Sequence, residues 1–342
     1  MTAKSPREEI LRLFHKTAGT FVSGEEISLA LGVSRTAVWK QIGLLRELGY
    51  VIEAVSSRGY RLVSTPDTLI PAEIQSGLDT GIIGSEILYF DELDSTNARA
   101  RQIGDAGAAD GTLVIADRQT AGKGRMGRQW VSPPGVNLYA SVLLRPPILP
   151  WQAPQLTFLS AVAVARAIEE IAGVRPRVKW PNDVLLDGKK VAGLLNEMNA
   201  ETEGIRYVIL GIGVNLNMGA HQFPPDLRYP ATSLRLHTGG PVSRLAFVQS
   251  LLRHLDALYQ KCLTEGFSPV IAAWEGFFDL VGKPVEVDFQ DRVARGVVEG
   301  LDDFGALLLR LADGTLERVL AGDVRPLSSP SGDSSSILHS IR

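Results

Sequence analysis

The segment 23–50 restricts the fold of this chain more than any other, because it encodes two helices separated by a tight turn. Ser23 is a favourable N-cap residue, and the helix predicted from Glu25 to Leu31 stops at Gly32. Ser34 caps the next helix. The apolar side chains of that helix fall on one stripe: Ala37, Val38, Ile42, Leu45 and Leu48. This pattern is typical of a helix-turn-helix.

The residues on both sides of this motif extend it to a larger domain. A helix is predicted over Arg7 to Lys16, and two short strand-like runs, Tyr50–Val55 and Tyr60–Val63, follow the motif with a turn between them. Three helices and a hairpin make a winged helix, which we assign to residues 1–65. This segment holds nine Lys and Arg against six Glu, whereas the whole chain has a net charge of −3.

The winged helix carries the side chains expected of a DNA-binding module. A recognition helix places short polar or basic residues at its N-terminal end, where they meet base edges and phosphates. Four residues at the start of the second motif helix and one at the hairpin tip fit this arrangement: Ser34, Arg35, Thr36, Lys40 and Arg58. Because one such unit makes few contacts, we expect a homodimer on operator DNA. The alternative is a winged helix that serves for protein contacts or for folding alone.

Beyond the winged helix, the chain divides into a large central part and a small C-terminal part. Residues 66–280 begin with a proline-containing stretch, predicted to be a linker, and then mix strands with helices, which indicates an α/β or α+β domain. Residues 281–327 contain short strands broken by Gly and Asp, which favours a small β-barrel. The Ser-rich tail, 328–342, is expected to be disordered.

The segment 122–130, GKGRMGRQW, is the most informative part of the central region, and two familiar phosphate motifs can be excluded there. It matches the dinucleotide-binding spacing G-x-G-x-x-G, but that motif must open a helix, which the following Ser-Pro-Pro-Gly at 132–135 prevents. The acidic residue expected about twenty positions later is also missing. A P-loop is excluded because Arg128 and Gln129 stand where it needs a Lys and a hydroxyl residue.

The same segment is then interpreted as a mobile loop in which glycines separate three cations, Lys123, Arg125 and Arg128. Such a loop suits a ligand with several negative charges, for example a triphosphate or an acyl adenylate. Trp130 supplies an aromatic face for a purine ring. The alternative is a solvated surface loop with a tryptophan in the core.

Two segments further along also carry chemistry. In Lys-Trp-Pro-Asn-Asp at 179–183, Asp183 is predicted to hold Mg²⁺ through one carboxylate. A hairpin with its turn at Asp187 and Gly188 follows, and Lys190 begins a strand whose small residues permit close approach of a ligand. Taken alone, Lys190 is more typical of a surface lysine.

Two weaker motifs complete the set. Asp-Ser-Thr-Asn at 94–97 ends a strand and is able to cap the helix that follows. The strand Gly-Ile-Gly-Val-Asn at 211–215 has glycines on one face, which favours either a packing device or the wall of a pocket.

Taken in this order, DSTN, GKGRMGRQW, KWPND, KVAG (190–193) and GIGVN resemble the motifs of the biotin protein ligase family. With the winged helix, the chain resembles the bifunctional ligase/repressor form of that family. The resemblance implies a central catalytic domain with the biotinyl/lipoyl ligase and class II synthetase-like fold, and a C-terminal SH3-like β-barrel. It also implies a reaction in which biotin and ATP give biotinyl-adenylate, from which a lysine of a biotin carboxyl carrier domain displaces AMP.

The resemblance assigns roles to individual residues. Biotin is expected to contact Ser95, Thr96, Asn97, Gln119, Lys123, Gly124, Arg125 and Lys190. ATP is expected to contact Arg125, Arg128, Trp130, Asn182 and Asp183. The groups implied to be catalytic are Lys190, Arg125 and Arg128. Family members more often have arginine at position 123, so Lys123 keeps the charge without the bidentate geometry.

Two other functions stay open on the sequence. A lipoate-protein ligase has the same reaction chemistry, but the polar groups of Ser95 and Gln119 suit the ureido ring of biotin better. A metabolite-sensing repressor with an inactive ligase core is disfavoured by the retained cations. No stretch is apolar enough to cross a membrane, and the N-terminus has no apolar core of a secretory signal, so we expect a cytoplasmic protein without membrane contact.

Overall fold

The computed structural model describes residues 5–17, 19–201, 204–227, 229–289 and 291–327. The tail predicted to be disordered, 328–342, lies outside these ranges. The chain divides into two compact units, of which the first comprises Met1–Val178 with Asn182–Phe277 and the second comprises Lys179–Pro181 with Phe278–Arg342.

The N-terminal residues form the predicted winged helix. Its elements are α1 (Pro6–Lys16), α2 (Gly24–Leu31), α3 (Arg35–Glu47), β1 (Val51–Val55) and β2 (Gly59–Ser64). Serine side chains cap all three helices, at Ser5, Ser23 and Ser34, and the first two caps are full capping boxes. A left-handed Gly32 ends α2. The helix-turn-helix prediction is therefore confirmed, because each start and stop signal lies within the sequence next to the helix that it limits.

The wing hairpin is tied to the turn before α2. Val22 and Tyr60 exchange two backbone hydrogen bonds, each of 2.8 Å. At Gly59, which begins β2, φ is +98° and a Cβ atom would lie 2.1 Å from the carbonyl oxygen of Val22. Only glycine fits both the backbone conformation and this approach.

The stretch predicted to be a linker is held by specific contacts. It contains a short helix, α4 (Pro71–Ser76), whose Glu73 is 1% exposed and lies 3.1 Å from His15 of α1. The carboxylate of Asp67 accepts hydrogen bonds from the backbone N–H groups of Arg244 and Leu245 at the start of a later helix. A carboxylate at a helix N-terminus is favourable, which explains why a proline-rich, polar segment is ordered here.

A seven-stranded mixed sheet forms the centre of the first unit. Its strands are β3 (Ile87–Leu93), β4 (Thr112–Gln119), β5 (Leu138–Leu144), β6 (Arg177–Lys179), β7 (Asp183–Leu186), β8 (Lys189–Glu201) and β9 (Gly204–Val214), in the order β3-β4-β5-β9-β8-β7-β6. β3 and β4 are parallel, whereas the pairs β4–β5, β5–β9, β8–β9 and β7–β8 are antiparallel. This agrees with the mixed α/β prediction.

The chain of the first unit also forms helices between and after these strands. They are α5 (Thr96–Asp105), α6 (Gln155–Ala172), α7 (Leu234–Thr238), α8 (Arg244–Glu265) and α9 (Ser268–Glu275). Most of α6 is buried, in keeping with a helix of the core. None of the described helices is both long and apolar enough to cross a bilayer.

The second unit is an antiparallel β domain. Its strands are β10 (Pro284–Asp288), β11 (Val293–Leu301), β12 (Leu307–Leu311), β13 (Leu316–Val319) and β14 (Asp323–Pro326), in the order β13-β12-β11-β10-β14. Their inward side chains form an aliphatic core: Val285, Val287, Val298, Leu307, Leu309, Val319 and Val324. The predicted small C-terminal β domain is confirmed.

Candidate functional site

The motifs singled out in the sequence converge on one cleft of the first unit, whose space, including the part open to solvent, is about 460 Å³. Its lining includes residues from the start of α5, the end of β4, the glycine-rich loop, the position before β7 and the strands β8 and β9: Ser95, Thr96, Asn97, Gln119, Lys123, Gly124, Arg125, Trp130, Asn182, Lys190, Gly193, Gly211 and Gly213. Of the residues predicted to bind biotin or ATP, Arg128 and Asp183 are not part of this lining.

The start of α5 is capped by a residue from another strand. Ser95 occupies the N-cap position, but its hydroxyl makes no capping hydrogen bond. Instead, Oε1 of Gln119 accepts from the backbone N–H of Thr96 at 2.9 Å and from its hydroxyl at 3.1 Å. The sequence prediction of a cap formed by the motif itself is therefore wrong, because β4 places a better acceptor at this helix end.

Asn97 lies on the cleft wall, and its amide is committed to the protein. Its Nδ2 donates to the carbonyl oxygen of Leu195 at 3.0 Å and to the carboxylate of Glu197 at 2.8 Å. Its Oδ1 accepts from the hydroxyl of Ser141 at 2.6 Å. Because both amide hydrogens are used, Asn97 joins α5 to β8 and β5 and holds the helix start in place.

The glycine-rich loop forms a defined turn over the cleft. Residues Arg125–Gly127 make one turn of 3₁₀ helix, and Met126 adopts a left-handed φ of 59°. The amide of Gly124 donates to the carbonyl oxygen of Arg128 at 2.6 Å, and the loop closes where Trp130 N donates to Gly122 O at 2.9 Å. No helix follows before β5, as the sequence predicted.

A direct contact joins the loop to the KWPND motif. Nη1 of Arg125 donates to Oδ1 of Asn182 at 3.0 Å, and Nδ2 of Asn182 donates to the carbonyl oxygen of Leu194 on β8 at 2.7 Å. Both residues line the cleft. Through Asn182, the loop is therefore connected to β8, the strand that also carries Lys190.

Trp130 lies against the two glycine-bearing strands. A Cβ atom on Gly213 would be 2.6 Å from its indole ring, and one on Gly193 would be 2.9 Å away. The glycines on β9 are thus part of a pocket wall, one of the two interpretations that the sequence left open. The indole Nε1 is buried and has no hydrogen-bond partner among the described residues.

Lys190 points toward this tryptophan. Its Nζ lies 5.4 Å from the centroid of the Trp130 ring and 2.6 Å from a carboxylate oxygen of Asp183. The hairpin turn between β7 and β8 produces this arrangement, with left-handed φ values at Asp187 (46°) and Gly188 (73°). The interpretation of Lys190 as an ordinary surface lysine is wrong, because its side chain is 25% exposed and lines the cleft.

Sequence reasoning missed two serines at the site. Ser141 on β5 is fully buried, and its hydroxyl, which donates to Asn97, lies 2.8 Å from the hydroxyl oxygen of Thr96. Ser132 is 6% exposed and contacts both Gln119 and Trp130. Ser141 could have been noticed as a lone serine within the apolar run Leu138–Leu144. Ser132 lies in the segment 132–135, which the sequence analysis used only to exclude a helix.

The predicted DNA-binding residues form a separate exposed surface on the winged helix. Arg35, Thr36 and Lys40 are exposed on α3, opposite its buried stripe. Arg35 pairs with Glu25 at 2.9 Å, but both side chains are about 70% exposed, so this pair is weak. Ser34 is used as the N-cap, where its hydroxyl accepts from the backbone N–H of Ala37.

The wing arginine is stacked on an aromatic ring. The guanidinium carbon of Arg58 lies 4.2 Å from the centroid of the Phe21 ring, and that of Arg61 lies 4.8 Å from it. Arg61 is also paired with Glu53. The stack positions Arg58 beside the hairpin turn and keeps its charge available.

Comparisons with known proteins agree with this division of the chain. The family described as "Biotin/lipoate A/B protein ligase family" matches residues 89–215, an "HTH domain" matches 6–61, and a "Biotin protein ligase C terminal domain" matches 280–325. Among solved structures, the biotin protein ligase from Aquifex aeolicus in complex with biotin and ATP is similar to this chain. The TM-score is 0.61 and the identity is 29%, with 72% of this chain and 100% of that chain covered.

Similarity to curated proteins extends over almost the whole length. The bifunctional ligase/repressor BirA of Bacillus subtilis is 42% identical over 318 residues, which cover 93% of this chain and 98% of the relative. BirA of Escherichia coli is 31% identical, with 90% of this chain and 93% of the relative covered. The resemblance inferred from the five motifs is confirmed: the chain belongs to the family of bifunctional biotin protein ligases and repressors.

Proposed function

We propose that this protein activates biotin with ATP to biotinyl-adenylate and pyrophosphate, passes the biotinyl group to a lysine of a carrier domain, and represses transcription through its winged helix. The observation that carries the ligase proposal is the cleft itself. Its lining combines the cations of Lys123, Arg125 and Lys190 with the uncharged polar groups of Thr96 and Gln119, which contact each other. A ligand with an anionic end and a neutral polar ring fits such a distribution.

The first chemical step brings two anions together. A carboxylate oxygen of biotin forms a bond to the α-phosphorus of ATP, and the bond from that phosphorus to the bridging oxygen breaks to release pyrophosphate. Fixed cations offset the repulsion and the charge that develops in the transition state. Lys190 is the group we assign to the carboxylate and the α-phosphate. In the second step a lysine amine attacks the acyl carbon, loses a proton, and AMP departs.

The polar end of the cleft decides between biotin and lipoate. The ureido ring of biotin requires hydrogen-bonding partners, which Ser95, Thr96 and Gln119 supply, whereas lipoate would gain from a purely apolar slot. We expect pyrophosphate release from ATP with biotin and not with lipoate. The same assay separates a ligase from a repressor with an inactive core, since the latter would bind biotin and leave ATP intact.

Magnesium is proposed to enter with the nucleotide. Among the described residues there is no cluster of three or more His, Cys, Asp or Glu side chains that would hold a metal alone. Asp183 offers one carboxylate, which is already paired with Lys190. A single protein carboxylate is sufficient for Mg²⁺, because this ion takes most of its ligands from phosphates and water. When bound, it would neutralise phosphate charge. Asp183 would hold it, with Asn182 beside it.

Arg125 is proposed to retain the reactive adenylate, because it spans from the loop to Asn182. We expect Arg125→Gly to release adenylate and to biotinylate lysines of a bystander protein such as serum albumin. The measurement is biotin incorporation into albumin, without a carrier, detected on a streptavidin blot. Arg118→Ala is the control, since Arg118 is exposed and paired with Glu92. Equal labelling by Arg125→Gly and the control would contradict the retaining role.

Lys40 is proposed to neutralise a DNA phosphate, because it is exposed on α3 and no ion pair of its ammonium is described. Each phosphate contact contributes about 0.9 to the slope of log K against log salt. Lys40→Ala should therefore lower this slope by about 0.9 for each bound subunit. The measurement is fluorescence anisotropy with a labelled mixed-sequence duplex at several salt concentrations. Lys16→Ala, at the exposed end of α1, is the charge-matched control, and an identical slope for both variants would refute the assignment.

Further parts of the proposal follow from the two activities together. We infer a homodimer, because helix-turn-helix proteins bind palindromic sites as symmetric pairs. We infer a cytoplasmic location, where ATP, carrier and operator DNA are all present. If biotinyl-adenylate is also the corepressor, DNA must tighten adenylate binding by the factor by which adenylate tightens DNA binding.

A further inference from the structure

Ser132 contacts two residues of the cleft lining, Gln119 and Trp130. Its hydroxyl accepts a hydrogen bond from Nε2 of Gln119 at 3.0 Å and donates one to the carbonyl oxygen of Trp130 at 2.9 Å. The residue is 6% exposed, although it lies outside the helices and strands. It therefore connects the polar end of the cleft at Gln119 with the tryptophan beside Lys190.

The contacts of Ser132 determine its role toward Gln119. A serine hydroxyl has a single hydrogen, and here the carbonyl oxygen of Trp130 takes it. The hydroxyl is left as an acceptor on the side of Gln119. The amide of Gln119 must then turn its NH₂ group toward Ser132.

The amide oxygen of Gln119 is also constrained, and it requires the same orientation of the amide. The backbone N–H of Thr96 is only a donor, so it requires Oε1 of Gln119, at 2.9 Å. Orientation of an amide follows from its hydrogen-bond network, and here both ends of the network specify the same one. One hydrogen of Nε2 goes to Ser132, and within the described residues no acceptor takes the other.

Tight packing around Gly122 preserves this arrangement. A Cβ atom there would lie 2.5 Å from Trp130 O, 2.9 Å from Gln119 Nε2 and 2.9 Å from Ser132 Oγ. No side chain fits between these three groups. The contacts lie at the base of the glycine-rich loop, between the end of β4 and the residues that follow the loop.

We propose that Ser132 is a positioning residue for biotin specificity: it fixes the amide of Gln119 so that an N–H group is offered to the carbonyl oxygen of the ureido ring. This inference rests on the proposed function, because it assigns the polar end of the cleft to that ring. The site then selects acids that carry a hydrogen-bond acceptor at this place. Lipoate has none.

The test compares Ser132→Ala with the wild type in steady-state adenylation, followed by pyrophosphate release. Loss of one orienting hydrogen bond should raise KM for biotin about tenfold. The kcat value and KM for ATP should stay close to those of the wild type. Ser132→Thr keeps the hydroxyl and should restore most of the affinity. Ser160→Ala is the matched control, since Ser160 is also buried and bonds a carbonyl oxygen, that of Leu156 in α6.

A double-mutant cycle separates positioning from simple support of the loop. In the background of Gln119→Ala, the further change Ser132→Ala should leave KM for biotin unchanged, because the group that it orients is gone. A tenfold effect that persists in that background would overturn the proposal, as would an unchanged KM in Ser132→Ala. If the wild-type protein binds no biotin in isothermal titration, the proposed function is refuted. If Ser132→Ala has a wild-type Tm and an unchanged KM for biotin, only the positioning role is refuted.

Discussion

Replacing Lys190 with alanine is expected to lower the rate of biotinyl-adenylate formation by about 10²- to 10³-fold, the usual effect of removing one preorganised group that stabilises developing charge. Nζ of Lys190 lies at the cleft, 2.6 Å from Asp183 and 5.4 Å from the Trp130 ring centroid. In the proposed reaction two anionic reactants meet there, and the variant loses one of the fixed cations that offset their repulsion. The rate is measured as pyrophosphate release with saturating biotin and ATP.

Lys189→Ala provides the matched control for this prediction. Lys189 is the preceding residue on β8, is exposed and lies outside the cleft lining. It should retain wild-type turnover, although the change in net charge is the same. Because the Lys190 variant leaves Asp183 without its partner, Tm of both variants should be compared, and turnover of Lys190→Ala within a few-fold of wild type would disprove the catalytic assignment.

Features that depend on neighbouring residues could be predicted from the sequence. The helix starts at Ser23 and Ser34 and the stop at Gly32 are encoded within a few positions of the elements that they limit. The turn at Asp187 and Gly188 is equally local. For this reason the helices and strands of the winged helix have the predicted extents to within one or two residues, and the turn between β7 and β8 lies where it was predicted.

Features that depend on distant contacts could not be predicted. Gln119 caps α5 from a separate strand, and Asn97 is held by Glu197, a hundred positions away in the chain. Nothing near Asn97 indicates that its amide is already committed, so motif matching assigned it to biotin. The linker is a similar case, since only the position of α8 shows that Asp67 has a helix N-terminus to cap.

The cleft combines a rigid group of buried residues with a loop that has fewer anchoring contacts. Thr96, Asn97 and Ser141 are buried, and their polar atoms are 2.6–2.8 Å apart, so the part of the cleft assigned to the ring is preorganised. The loop that carries Lys123 and Arg125 is anchored mainly at its base and through Asn182. A rigid recognition end and a loop with fewer anchors suit a reaction whose intermediate must be retained and later released.

Gly211→Ala is the second change with a large expected effect. Gly211 pairs with Leu195 of β8 and Ser141 of β5 in the middle of the sheet. An added Cβ atom would lie 2.3 Å from Oδ1 of Asn97 and 2.7 Å from the backbone oxygen of Leu195. The strand cannot move away from that oxygen without breaking its ladder, so Asn97 must be displaced from its buried hydrogen bonds.

Displacing Asn97 should affect both stability and binding. Overpacking, together with loss of the partners of a buried amide, should lower the free energy of unfolding by about 2–4 kcal/mol. Because Asn97 holds the start of α5, Ser95 and Thr96 should move with it, and biotin affinity should fall at least a hundredfold. Urea denaturation and isothermal titration measure the two effects. Gly240→Ala is the control, since a Cβ atom there meets nothing within 4 Å, and wild-type biotin affinity in Gly211→Ala would mean that the position of α5 does not determine recognition of the ring.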